Sequence, residues 1–381
     1  MSELALQLIE ENKKTKNTFL DLGRCSLENE LPEKLLECVW LKELNLGWAY
    51  AKYEPYEIIE STNSGELNQF QGSELSALQK LPQLEAVYLN ACSIIEISFL
   101  KYLTHLHSLN ISENPSIQDS RFLQDMAQLQ TLDISFTGIN EISFLQHLIR
   151  LENLEIYYSK IYNISPVGSL TRLRFLNLRD NQIQDISPIE NLRQLRTLHL
   201  GSNKIQDISS LQNLIHLRVL NLYGNQIQDI NFLRNLTQLW HLTLAKNQIQ
   251  DIGSLKNMTQ MQHLHISENQ IQDISSLQNM KQLQFLFLDY NQIQDINPLQ
   301  NLTQLQTLFL NNNQIQDTNS LQNLTQLKSV SLGSNYINDK NQVSMLIGLP
   351  QLFHLGLNNN PVDTSSLDFT KVAARYKNTE S

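Results

Sequence analysis

With 381 residues, 41% of them hydrophobic, the chain can bury a large core, and its 12 glycines and 9 prolines mark no flexible linker. A net charge of −10, a pI near 5.4 and no dense Lys/Arg cluster exclude a phosphate-tracking surface, so no nucleic-acid partner is expected, and a basic or neutral protein surface fits better. No run approaches the roughly 20 apolar residues of a membrane helix, MSELALQLIEENKKTKNTF lacks the basic start and apolar core of a secretory leader, and Cys25, Cys38 and Cys92 have neither metal nor redox spacing.

These exclusions predict a reduced, cytoplasmic chain with no membrane contact, no metal and no cofactor, monomeric by default. The first element is a helical cap over residues 1–17, where Leu4, Leu6, Leu8 and Ile9 stand among Glu, Gln and Lys. Such a cap is needed because the end of a stacked array exposes apolar core and a free strand edge.

From residue 18 to 363 the chain repeats itself about 15 times. IQDI begins at Ile183, Ile205, Ile227, Ile249, Ile271 and Ile293, always 22 residues apart. A period of this length means one supersecondary unit that cannot bury its apolar face alone and must stack. In LQTLFLNNNQIQDTNSL (Leu305–Leu321), Leu308-Phe309-Leu310 alternates buried and exposed, the period of a short strand. Ile315, Leu321 and Leu324 bring the chain back to the core. There is no room for a full helix with its loops, so the return is extended or 3-10, and successive strands stack in parallel about 4.8 Å apart.

Three residues after the strand stands an amide, which can donate and accept where the backbone loses its ladder partners. Aligned on that position, the chain reads Cys25, Ala49, Cys92, Asn114, Thr137, Ser159, Asn181, Asn203, Asn225, Asn247, Asn269, Asn291, Asn313, Asn335 and Asn360. The Asn members form an expected structural ladder, with Cys25 and Cys92 as buried thiol substitutes. Between Ala49 and Cys92 the spacing stretches to 43 residues. Tyr50 to Glu66 reads as an acidic, aromatic-bearing excursion, and Asn68 with Phe70 as a degenerate coil turn. The closing cap and tail is residues 364–381, with Leu367, Phe369, Val372 and Tyr376 as its apolar members.

The pattern L-x-x-L-x-L-x-x-N-x-I, and within it NQIQDINPLQNLTQL (Asn291–Leu305), resembles the leucine-rich repeat family, in the 22-residue subtype of bacterial internalins and eukaryotic phosphatase-regulating repeat proteins. The resemblance implies an α/β leucine-rich repeat solenoid, a horseshoe with a parallel β-sheet on its concave face and extended or 3-10 segments on the convex face. The stretch Leu8–Leu46 is similar to the opening repeats of bacterial Roco-type proteins, where they precede a GTPase. No G-x-x-x-x-G-K-[ST] occurs in the chain.

On the expected concave face, positions six, four and two before each ladder residue flank the buried leucines. They present Phe175, His241, His263 and Phe285; His199, His265, Phe287 and Phe309; and Tyr157, Arg179 and Tyr223. Phe285, Phe287 and Phe309 are predicted to lie together, exposed, with Tyr290 at the rim, as an aromatic anchor for a protein partner. The same rings could instead cover one another. The four histidines suggest a solvated polar surface or a pH-sensitive one. Asp133 and Glu155 sit side by side on a face expected to be open to water, which suits steering of a basic partner better than acid–base chemistry. With no nucleophile elbow, H-E-x-x-H or C-x-x-C, the expected function is non-enzymatic protein recognition on this face. The alternatives are a regulatory repeat domain of, or partner to, a Roco-type GTPase or other signalling enzyme, and an exported effector.

Overall fold

The computed structural model describes residues 2–53 and 56–377. The chain forms two compact units, 1–183 and 184–381. Both are built from the same coil: a three-residue strand, a sharp turn, a return segment with one 3-10 helix, and a second turn.

The coil explains the repeated tetrapeptide. In the coil turning at Asn225, the N–H of Ile227 donates to Asn247 Oδ1 of the next coil at 3.0 Å, while its side chain is fully buried. Gln228 Nε2 donates to Gln248 Oε1 at 3.0 Å, one of five such amide links at successive coils. Asp229 Oδ1 accepts from Asn231 N–H at 2.8 Å and so caps the 3-10 helix Asn231–Asn235. Ile230 returns to the core at 1% exposure. The four letters of IQDI are thus distinct in purpose. The first isoleucine serves ladder and core, glutamine ties one coil to the next, aspartate caps, and the second isoleucine fills the core.

The turn into the return segment is equally regular. Except at Ala49 and Asn68, the residue before each ladder position has positive φ, including Glu113, Phe136, Tyr158, Lys246, Glu268 and Tyr290, and only Gly224 among them is glycine. Left-handed backbone is unfavourable for bulky side chains, so the ladder bonds that fix this turn work against local preference.

In the unit 1–183, a helix spans Glu3–Thr15, capped by Ser2 Oγ accepting from Ala5 N–H. Seven parallel strands follow in chain order: Phe19–Asp21, Glu43–Asn45, Ala86–Tyr88, Ser108–Asn110, Thr131–Asp133, Asn153–Glu155 and Phe175–Asn177. Between the second and third of these the chain leaves the sheet as an antiparallel hairpin, Ala49–Tyr53 with Tyr56–Glu60. Ala49 is therefore a hairpin residue and not the ladder residue that its spacing suggests. Asn68 takes that place, accepting from Cys25 and Leu27 N–H at 3.2 and 2.9 Å and donating to the carbonyls of Leu22 and Leu46 at 2.8 and 2.7 Å. Asn63 supplies a second amide, donating to the Gly23 carbonyl at 2.8 Å beside Cys25.

In the unit 184–381, eight parallel strands run in order from Thr197–His199 to His354–Gly356, each in register with the one before. One return segment is an α-helix, Lys340–Ile347, which accounts for the 25 residues between Asn335 and Asn360. A last helix, Thr370–Lys377, follows the final strand, and Arg375 Nη1 donates to the carbonyls of Ile347 and Leu352. The Tyr376 side chain and residues 378–381 of the expected closing segment lie outside the described residues. Within a coil such as that of Asn247, Leu242, Leu244, Ile249, Ile252, Leu255 and Met258 are at most 1% exposed. Burial of each contributes on the order of 2 kcal/mol.

Candidate functional site

Strand register decides which rings meet. In-register neighbours on adjacent strands stand about 4.8 Å apart, whereas residues i and i+2 of one strand are about 6.6 Å apart. Rings therefore stack across strands, and the 184–381 unit carries two separate columns. In the first, Trp240 stands edge-on to His241 and His263 at 5.7 and 5.8 Å, His241 stacks on His263 at 5.3 Å, and His263 on Phe285 at 4.4 Å. In the second, His265 meets Phe287 at 5.2 Å and Phe287 meets Phe309 edge-on at 5.2 Å. Phe285 thus joins the histidines, not the Phe287–Phe309 pair with which the sequence grouped it. Trp240 is exposed, whereas the other rings of the two columns are half-buried because they cover one another; Tyr290 at the rim is 59% exposed. Beside the second column a cleft of about 540 Å³ is lined by Asp289, Tyr290, Asn311, Ser331, His354 and Gly356 among others.

Burial depresses the pKa of His241, His263 and His265, with His263 and His265 adding repulsion at His241. A histidine held below its ordinary value is neutral when folded, so its contribution to stability is present above that value and lost as pH falls through the folded pKa. From about pH 7.5 to pH 5 the urea midpoint of His263→Phe, which extends the ring column from Phe285, is expected to rise relative to that of the wild type, because the variant has no imidazole to charge; an unchanged difference between the two would place the acid sensitivity elsewhere.

Two further residues of the expected face in this unit stand outside these columns. His199 is half-buried and lies two coils before His241, in the other row. Tyr223 is half-buried with Lys246 Nζ 5.9 Å from its ring centre. Arg179, in the 1–183 unit, is exposed and pairs with Asp180 at 2.6 Å. Among the described residues, no three His, Cys, Asp or Glu side chains are grouped to hold a metal ion, and no helix is long and apolar enough to cross a membrane.

The 1–183 unit differs most from expectation. Its hairpin lies across the sheet face. Tyr50 packs between Phe19 and Tyr88 at 5.0 and 5.7 Å near the base, and at the tip Tyr53 and Tyr56 close on Phe175 at 5.1 and 4.9 Å. Tyr53 Oη donates to Glu155 Oε1 at 2.7 Å, Tyr56 Oη to Oε2 at 3.4 Å, and Asn177 Nδ2 to Oε2 at 3.1 Å. Phe175 is left 4% exposed, Glu155 1% and Asp133 7%. Two expectations fail here for one reason. Phe175 is not available to a partner while the hairpin is seated, and the Asp133–Glu155 pair is not open to water. Desolvation raises the pKa of both carboxyl groups, and their proximity raises that of Glu155 further. Tyr157 stays half-buried at the edge, edge-on to Phe136, which stacks on the exposed Tyr158 at 4.4 Å. The run of tyrosines in YAKYEPYEIIE was the signal for this cover, but its target lies about 100 residues away in sequence.

Burial raises the thiol pKa of Cys25 to about 12, and it raises those of Cys92 and Cys38 too. Cys92 Sγ lies 3.2 Å from the Leu46 carbonyl, in a ladder place. Thiols so held are poor nucleophiles.

Comparison with known proteins agrees with this architecture. A family model described as a leucine-rich repeat region matches residues 147–368, and a further leucine-rich repeat model matches 102–120. Internalin InlF of Listeria monocytogenes is 35% identical, with 78% of this chain and 86% of that one covered and a TM-score of 0.74. A leucine-rich repeat protein of Leptospira interrogans shares the fold at 23% identity, with 93% and 87% covered and a TM-score of 0.75. The functional domain of InlJ from Listeria monocytogenes, described as including a cysteine ladder, shares it at 19% identity, with 89% and 72% covered and a TM-score of 0.69. A search of curated proteins finds no match. The chain belongs to the leucine-rich repeat family and is of the internalin-like type.

Proposed function

We propose that the protein is a non-enzymatic recognition module that binds a protein partner on the sheet face of its 184–381 unit. The observation that carries this reading is the pair of ring columns, Trp240–His241–His263–Phe285 and His265–Phe287–Phe309. Within each column the rings cover one another in part, His263 between His241 and Phe285 and Phe287 between His265 and Phe309, and these rings stay only half-buried. Aromatic rings on a rigid sheet lose little conformational entropy on binding and act as anchors when the remaining area is covered. Leucine-rich repeat folds are typical of protein–protein interaction domains, in keeping with this use.

The test is the double variant Phe287→Ala with Phe309→Ala, used as bait in a pull-down with wild type in parallel. Partner capture is expected to drop by about 100-fold or more, as for loss of central hot spots, with the melting temperature nearly unchanged. Equal loss of stability and capture, or unchanged capture, would remove this surface as the dedicated site.

A further inference from the structure

The hairpin of the 1–183 unit serves none of the recognition role placed on the other unit. Its cost is plain: it seals Asp133 and Glu155 under protein, and the groups that act most on the two carboxyls include no cation. The groups facing them can be named from every packed element. Glu113 comes from the coil before Asp133, and Trp48 Nε1 donates to Glu113 Oε1 at 3.1 Å. Tyr53 and Tyr56 come from the hairpin, while Lys52 and Glu57, which pair across it, are exposed. The following coils bring Tyr157, the neutral amide of Asn177, and Arg179, whose guanidinium is held by Asp180. The ion pairs found among the described residues involve neither carboxylate.

The two ends of the hairpin are held differently. At its base Tyr50 is wedged between two rings, Ser61 Oγ donates to the Gly23 carbonyl at 3.1 Å, and Asn63 donates to the same coil. Toward its far end, among the described residues, Tyr53 and Tyr56 hold the hairpin to the sheet by two phenol bonds to Glu155 beside the ring contacts with Phe175. Five extended residues span about 17 Å, close to the four strand spacings, about 19 Å, from the Tyr88 strand to the Phe175 strand. Between hairpin and sheet lies a cavity of about 30 Å³ lined by Trp48, Tyr56, Asp133, Glu155 and Tyr157 among others, room for about two water molecules.

We propose that the hairpin is a pH-gated strap, seated on the sheet face while the carboxyl pair beneath it holds a proton and lifted at its tip when both groups ionise. Two adjacent buried carboxylates repel each other and call for more water than the small cavity holds, and lifting this end of the hairpin supplies it. Burial and mutual repulsion, which raise both carboxyl pKa values, give the direction. A carboxyl group whose pKa is raised in the seated state stabilises that state at low pH, and the stabilisation is lost as pH rises. Lifting uncovers Phe175, Glu155 and Asp133 together, so the strap controls access to a face the rest of the unit has already built.

The test uses the full chain with 3-fluorotyrosine at position 53, followed by 19F NMR between about pH 5 and pH 8. The wild type is expected to show a buried resonance at the acid end and a solvent-exposed resonance growing with pH. The exposed-to-buried ratio should rise about tenfold per pH unit between the ordinary carboxylate range and the raised value of the seated pair, and level off above it. Glu155→Gln is expected to keep the buried resonance throughout. Asp133→Asn is expected to do the same and serves if Glu155→Gln fails to fold. A wild-type spectrum unchanged over this range, or variants that open like the wild type, would overturn the proposal. Because no partner enters this measurement, its outcome is independent of the recognition surface on the other unit.

Discussion

Replacing Asn247 with alanine is expected to lower the free energy of unfolding by about 3 kcal/mol, read from urea denaturation at neutral pH. The amide donates to the carbonyls of Leu222, Leu244 and Ala245 at 3.0, 3.0 and 3.3 Å, and its Oδ1 accepts from Ile227 N–H of the coil before at 3.0 Å. Loss of Asn247 therefore orphans the buried Ile227 N–H. The three carbonyls keep second donors, Asn225 Nδ2 for Leu222, Asn269 Nδ2 for Leu244 and Gly224 N–H for Ala245. One fully orphaned donor and three weakened acceptors set the size of the effect; four orphans would make it several times larger. Asn247→Thr is expected to lose less, because Thr137 holds a ladder place with Oγ1 donating to the Ile134 carbonyl at 2.7 Å. A melting curve for Asn247→Ala that overlays the wild type would remove the ladder from any account of stability.

Glu155→Gln is expected to stabilise the protein at about pH 8, by on the order of 2 kcal/mol, and to leave it nearly unchanged at about pH 4. The sign follows from burial. In the unfolded chain Glu155 ionises in the ordinary carboxylate range, while in the folded chain desolvation and the neighbouring Asp133 raise its pKa. The folded state therefore holds a proton that the unfolded state has released, and stability falls as pH rises between the two values. Glutamine has the same shape, keeps an acceptor for Tyr53, turns an N–H toward the Tyr56 hydroxyl in place of the weaker bond, and has no charge to desolvate. Denaturation of both proteins at the two pH values checks this. A variant less stable than the wild type at pH 8 would mean that the phenol bonds to an ionised carboxylate outweigh its desolvation.

The fold was legible because every coil says the same thing. The 22-residue period, the strand alternation at Leu308–Leu310 and the short return at Leu321 each follow from one unit. Repetition averages out local ambiguity. Legibility stopped where the repetition did. Spacing alone put Ala49 in the ladder, and only the return of the chain at Asn68 shows which residue occupies that place. The same spacing placed Phe285 beside Phe287 and Phe309, although the shorter separation across strands sends its ring to His263. Asp133 and Glu155 were correctly set side by side, and their environment was misjudged, since no pattern in YAKYEPYEIIE says where the hairpin lands.

The sequence by itself determined the regular coil: which side chains face inward, where the turns of the 22-residue repeats fall, and why asparagine and aspartate recur, because these depend on contacts within one period or with the next. The tertiary structure alone decided the cover over the sheet face, for it depends on the reach and direction of one inserted hairpin. Contacts made by Tyr53 with Glu155, 102 residues apart, are fixed by how many coils lie between them and by which way a single excursion leaves the stack, and neither is written in local periodicity.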